Sequence, residues 1–281
     1  MKWILFNLLI LLFLMIDLLI VHKKRVKISL RESLLWSAVW IFLSLLFNLF
    51  IYFFEGPTSA LEFFTGYLIE KSLSLDNLFV IILILSYFKI PHKDQHAVLF
   101  WGILGALVMR LLFILAGLAL INKFHWILYL LGLFLLFTGV KLIFENKVKQ
   151  DFNKNRVIKL IKSLFPKVTP FMLALISIEY TDVVFALDSI PAIFSITKDP
   201  YIIYTSNVCA ILGMRSLYFV LAHFLTMFVY LKKGISAILV FIGLKILISP
   251  FYIISIYYAL GVILGILLLS ILFSLRSSRK I

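Results

Sequence analysis

Apolar runs of about 20 residues, separated by short polar stretches, recur along nearly the whole chain. The runs cover 3–21, 33–54, 66–88, 97–120, 125–144, 170–197, 201–230, 235–248 and 251–275. A helix rises about 1.5 Å per residue, so about 20 apolar residues cross the roughly 30 Å hydrocarbon core of a bilayer. The pattern predicts an all-α, polytopic membrane protein with about nine transmembrane helices. The last two are separated only by Ser249-Pro250. Residues 146–169 break the pattern. There Val157, Leu160, Ile161 and Leu164 recur at helical spacing, with Arg156, Lys159 and Lys162 on other faces. That reads as a basic amphipathic helix on the inner leaflet, and a solvated linker fits equally well.

Composition strengthens the membrane reading. Hydrophobic residues make up 63% of the chain and charged residues 14%, against roughly 45–50% and about 25% in soluble domains. A soluble fold of this length has too little interior for so much apolar surface. The net charge of +14 would suit nucleic acid, but the placement of the charges excludes it. With the N-terminus outside, 19 of the 27 basic residues fall on inner connections, from the Lys23–Arg31 cluster to Arg276, Arg279 and Lys280. The outer connections hold Lys2, Lys123 and Lys198. This positive-inside bias predicts an inner-membrane protein with its N-terminus outside and its C-terminus cytoplasmic. The run 3–21 is long for a signal peptide, lacks an Ala-x-Ala site and precedes a basic cluster, so it reads as an uncleaved first span. The lone cysteine, Cys209, excludes an internal disulfide and a thiolate metal cluster.

The middle of the chain repeats. Glu70-x5-Asp76-Asn77 aligns with Asp182-x5-Asp188-Ser189, Met109-Arg110 with Met214-Arg215, and Phe137-Thr138-Gly139-Val140-Lys141 with Phe241-Ile242-Gly243-Leu244-Lys245, at offsets of 112, 105 and 104 residues. Each copy holds three helices. An odd number sends the second copy into the membrane from the opposite side, giving an inverted repeat of the kind found in many secondary transporters. The single membrane domain 1–281 then divides into peripheral N-terminal helices (1–60), a first unit (61–145), the cytosolic linker (146–169), a second unit (170–250), and a C-terminal helix with a basic tail (251–281).

Five carboxylates lie inside two of these hydrophobic helices: Glu70 and Asp76 in one, Glu179, Asp182 and Asp188 in the other. Each opposes insertion by roughly 2.5–3.5 kcal/mol, about 15 kcal/mol together, so such groups persist where they are paired, neutralised or used. Acids six residues apart point about 120° apart on a regular helix. Pro191, three residues after Asp188, predicts an interruption that frees carbonyl ligands. Glu179 and Asp182 share one face, as do Glu70, Ser74 and Asn77. Carboxylates with the amide of Asn77 and the hydroxyls of Ser72, Ser74, Thr181 and Ser189 suit a hard divalent cation such as Mg²⁺, Ca²⁺ or Mn²⁺. Asp76 and Asp188 stand out as direct ligands. Arg110 and Arg215, at matched positions of the repeat, are the expected charge partners, while Lys141 and Lys245 are expected to snorkel to the interfaces. Purely structural ion pairing and a proton relay are the competing readings of the same acids.

The segments Glu70-Lys71-Ser72-Leu73-Ser74-Leu75-Asp76-Asn77, Asp182-x5-Asp188-Ser189-Ile190-Pro191-Ala192-Ile193 and Thr205-Ser206-Asn207-x3-Ile211-Leu212-Gly213-Met214-Arg215 closely resemble the TerC family of integral membrane proteins, densely over about 55–230. The resemblance implies a multi-pass bacterial inner-membrane or thylakoid protein. It also implies an association with manganese homeostasis and export, metal supply to exported proteins, or tellurite resistance. The cation-site role carries over to Glu70, Asp76, Asp182 and Asp188. The resulting expectation is a transporter exporting Mn²⁺ as its substrate, with proton exchange as a coupling option. It needs no prosthetic group, and its partners are the bilayer, the metal ion, and further membrane proteins or copies of itself. A proton-coupled carrier, a tellurite-resistance factor and a metal-independent scaffold are the alternatives. An intramembrane enzyme is disfavoured, since neither a P-loop nor a His-Glu-x-x-His motif occurs.

Overall fold

The computed structural model describes residues 2–22, 29–124, 126–144, 168–224, 230–252 and 254–278. These form ten helices and no strand: α1 (Lys2–His22), α2 (Leu30–Glu55), α3 (Pro57–Tyr87), α4 (His92–Lys123), α5 (Ile127–Phe144), α6 (Pro170–Phe194), α7 (Pro200–Leu212), α8 (Met214–Phe224), α9 (Leu231–Ile248) and α10 (Ile256–Ser278). The expected amphipathic linker lies almost wholly outside the described residues.

Local punctuation sets these boundaries. Ser29 caps α2 by accepting from the Glu32 amide, and Thr169 caps α6 through the Met172 amide. Asp199 caps α7 by accepting from the amides of Tyr201 at 2.7 Å and Ile202 at 3.4 Å. Capping oxygens satisfy amides that the first helical turn leaves without partners. Pro57, Pro170 and Pro200 stand at the first helical position, where the missing amide costs nothing. Gly56, at φ 91°, turns the chain from α2 into α3, in a region that residues with a Cβ seldom occupy.

Six segments are long and apolar enough to cross a bilayer: Leu30–Glu55, Asp94–Ile121, Ile127–Phe144, Pro170–Phe194, Pro200–Ala222 and Ile256–Ser274. The 31-residue α3, about 46 Å long at the α-helical rise, carries Glu62, Glu70, Lys71 and Asp76, and α9 carries Lys232, Lys233 and Lys245. Those charges separate α3 and α9 from the six. Phe53, Phe54, Phe137 and Phe144 are each at least 66% exposed, which suits side chains facing lipid rather than water.

The centre is built from α3, α4, α6 and α7. Every residue from Tyr201 to Leu212 on α7 is buried. The α5–α9 contact is the most extensive between helices, and glycines make it close. A Cβ on Gly243 would stand 2.7 Å from both the Gly132 carbonyl and the Leu136 amide, and one on Gly139 would meet the Val240 amide at 2.8 Å. Small residues let membrane helices approach to backbone contact, where packing and not hydrophobicity holds them. Helix α2 packs on α3 and α8, and α10 on α9. The N-terminal helix α1 is pinned near its start. Trp3 stacks on Tyr204, Asn7 accepts from the Tyr204 hydroxyl at 2.7 Å, and Lys2 pairs with Glu55 at 2.8 Å.

Two sequence expectations change. The helix is not interrupted at Pro191: α6 continues to Phe194, because a proline in the last turn deletes a single bond near an end that was about to fray. Within the run 201–230 the helix breaks at Gly213 into α7 and α8, while Pro200–Ala222 remains long and apolar enough for one span. Lys245 does not snorkel. It is 9% exposed and donates to the Ser195 carbonyl at 2.8 Å, closing the C-terminus of α6.

Candidate functional site

Arg110 stands midway along α4 and is fully buried. Its Nη1 shares two hydrogens among Glu70 Oε1 at 2.5 Å, Ser189 Oγ at 2.9 Å and Asn207 Oδ1 at 2.8 Å. Its Nη2 and Nε donate to the two oxygens of Asp182 at 3.2 and 3.4 Å. One guanidinium therefore joins α3, α6 and α7 to α4. The fork geometry suits arginine, whose five donors match carboxylates without adjustment. Glu70 and Asp182 aligned in the repeat, so Arg110 holds the matched acid of each unit.

The acids are not saturated. Glu70 Oε1 also accepts from Ser74 at 3.3 Å, but Glu70 Oε2 and Asn77 Oδ1 are buried and make no hydrogen bond with the described residues. A buried acceptor left unpaired costs about 1–3 kcal/mol, so these oxygens are poised for something positive. A cavity of about 30 Å³ opens beside Asn77, lined also by Thr181, Asp182, Arg215 and apolar neighbours such as Ile103 and Ile178. One water needs about 10–15 Å³ on that measure. The space takes one or two waters, or a cation that has shed most of its shell.

Glycines on α4 shape the approach. A Cβ on Gly105 would overlap the Glu179 carboxylate, with Oε1 2.2 Å away. Glu179 thus lies in a notch one turn from Asp182 and apart from the Arg110 cluster, half-buried. Gly102 lines both this notch and the cavity.

Of the predicted residues, Glu70, Asp182, Ser189 and Arg110 come together, with Asn77 at the adjoining cavity. Arg215 is 7% exposed and borders that cavity. Asp76 and Asp188 belong to α3 and α6, but their side chains lie outside the described residues. The Ser72 and Thr181 hydroxyls turn onto their own helices, bonding the Leu68 and Ile178 carbonyls. Among the described residues no three His, Cys, Asp or Glu side chains converge on one point, since the guanidinium stands between the acids. Two contributors were missed. Asn207 accepts from Arg110; an amide inside an apolar run was its signal. Lys71 donates to the Ala210 carbonyl at 3.1 Å, just before the break at Gly213.

Residues 55–280 match the integral membrane protein TerC family. The chain belongs to this family. Related TerC-like chains cover almost its whole length. An uncharacterized membrane protein of Rickettsia bellii is 44% identical over 291 residues, 96% of either chain. Another, from Myxococcus xanthus, is 43% identical over 282 residues, 94% of this chain and 88% of its own. The Escherichia coli K12 protein named "Putative membrane-bound redox modulator Alx" is 43% identical over 282 residues, 91% of this chain and 88% of its own. No solved structure matches.

Proposed function

We propose that this TerC-family protein exports a divalent cation, Mn²⁺ foremost, across the inner membrane by alternating access of two inverted three-helix units. The observation that carries the reading is the Arg110 cluster: two buried acids share one guanidinium beside a small cavity bordered by Asp182 and by Asn77, whose amide oxygen has no donor among the described residues. Oxygen donors of this kind suit hard cations that arrive stripped of water. Arg110 holds the acids together in the empty protein. A divalent cation competes for the same oxygens and offers a higher charge.

The helix contacts support an inverted repeat. Helix α3 packs on α7 and α6 packs on α4, while α3 meets α6 and α5 meets α9. Exchanging the two units maps this set of contacts onto itself. In this reading α1, α3 and α9 also cross the membrane, with α7 and α8 forming one bent span, so the crossings number nine. Glu70 and Asp182 are tolerated in hydrocarbon because both are buried in the bundle interior against Arg110.

One observation favours a second reading. Arg110 already binds four groups of the protein, Glu70, Asp182, Ser189 and Asn207, as a purely structural lock would. Flux of radiolabelled Mn²⁺ into sealed inverted vesicles separates the two. Cation export predicts uptake that falls at least tenfold in Glu70→Gln, Asp182→Asn, Asp76→Asn and Asp188→Asn, with each variant still inserted. Uptake at the wild-type rate in all four leaves only the lock. Repeating the flux with an imposed pH gradient reads proton exchange directly.

A further inference from the structure

We propose that α8 is a hinged gate over the cavity beside Asn77, turning at Gly213 and latched to α4 by Tyr218 and Gln95; its role in transport rests on the reading of that cavity as a cation path. One wall of the cavity includes Leu99 and Ile103 of α4, and another is Ile211, Met214 and Arg215, the residues that flank the break at Gly213. This is the side of Arg110 that the predicted orientation turns to the cytoplasm. The other side is closed. Every residue of α7 from Tyr201 to Leu212 is buried. The Phe194 ring stands within 2.8 Å of where a Cβ on Gly117 would be, and the Ser206 hydroxyl within 2.9 Å of one on Gly66.

Gly213 joins a fixed segment to a more lightly held one. Helix α7 is tied to Arg110 through Asn207. Helix α8 packs more extensively on α2 than on α4, so its seam with α4 is the thinner one. The break carries its own donors. Lys71 of α3 donates to the Ala210 carbonyl at 3.1 Å, Ser44 of α2 to the Cys209 carbonyl at 3.5 Å, and Ser216 to the Gly213 carbonyl at 3.0 Å. Carbonyls in the last turn of a helix have no partner within it. Here side chains of other helices reach two of them, so a change of angle at Gly213 leaves both satisfied. Hinges of this kind sit at element ends and absorb the motion in a few residues.

The latch lies one turn beyond Leu99 and Met214. The Tyr218 hydroxyl donates to Gln95 Oε1 at 3.3 Å, and Gln95 Nε2 donates to the Ile90 carbonyl at 3.1 Å, which holds the amide in place. The adjoining residues stack: the His96 and Phe219 rings are 4.4 Å apart at 30°. Gln95 and Tyr218 are 9% and 4% exposed, a polar pair set into an apolar seam. A neutral hydrogen bond is exchanged for water at little net cost, unlike a buried ion pair. Swinging α8 from α4 therefore parts the latch and admits water to the cavity while the Arg110 cluster stays packed.

The test is labelling of a single cysteine by a membrane-impermeant maleimide in sealed inverted vesicles, using the full chain with Cys209→Ala. Ile103→Cys reports the cavity. Leu118→Cys, buried on α4 beyond Arg110, reports the closed side. Tyr218→Phe keeps the ring and removes the latch bond. It should raise the labelling rate of Ile103→Cys at least fivefold and leave Leu118→Cys unchanged. An unchanged rate at Ile103→Cys overturns the gate, as does an equal rise at both cysteines, which is general loosening. Ala106→Cys, also on the cavity wall, replaces Ile103→Cys if that variant does not insert. Mn²⁺ flux in the same vesicles separates the two readings. Labelling as expected with no flux in the parent chain keeps the gate and removes the cation path; flux with unchanged labelling keeps the path and removes the gate.

Discussion

Arg110 is the residue on which the interior depends. It is 0% exposed and pairs with Glu70 and Asp182. Removing it strands two carboxylates in a low dielectric, and breaking such a buried pair costs about 3–5 kcal/mol. Arg110→Met should therefore lower the thermal midpoint in detergent steeply. Glu70→Gln in the same chain should recover part of the loss, since one stranded charge is gone. A double-mutant cycle with no coupling between the two positions would contradict the geometry. Arg110 and the acids were legible in the sequence because a charge inside an apolar run has no neutral explanation. Asn207 and Gly105 were not: an amide or a glycine in such a run serves packing as readily as chemistry, and only the neighbouring helix decides which. Lys245 was misread for a related reason. Distance along a helix does not reveal which carbonyl of another helix lies within reach.

At the scale of elements, the backbone contact between α5 and α9 sets how closely these two helices pack. A Cβ on Gly243 meets backbone atoms that no rotamer change relieves. Gly243→Ala should destabilise by about 1–3 kcal/mol, as overpacking does. Gly261 on α10 has nothing within 4 Å of the same construction, so Gly261→Ala should be neutral or slightly stabilising through helix propensity. Equal thermal shifts in the two variants would show that the α5–α9 crossing is not a close one. Helix existence was readable almost throughout from runs and caps. The breaks were less so. Pro191 falls within the final turn of α6, where the helix tolerates it, while the break at Gly213 comes at a single glycine, where a Cβ would stand 2.7 Å from Lys71 Nζ and 3.2 Å from Trp40 Cβ.

For the whole molecule, the distribution of lysine and arginine predicts the orientation. Fluorescent protein fused after Ile281 should mature and fluoresce, and alkaline phosphatase at the same point should stay inactive. The reverse result would require an even number of crossings or an inverted protein, and either undermines the proposed arrangement of units. The proposed repeat rests on three sequence landmarks in order. How its halves would face each other cannot be read from them, because the landmarks fix connectivity and not contact.

Arg110 also has a consequence for the empty protein. A guanidinium keeps its proton throughout the biological pH range, so the acids it holds are never left bare when no guest is present. On the proposed cation reading it acts as a resident placeholder: the interior would reorient without borrowing a proton or a stray ion. Any guest must then outcompete a tethered rival that is always at hand, which sets a floor on how strongly a visitor has to bind before it is accepted.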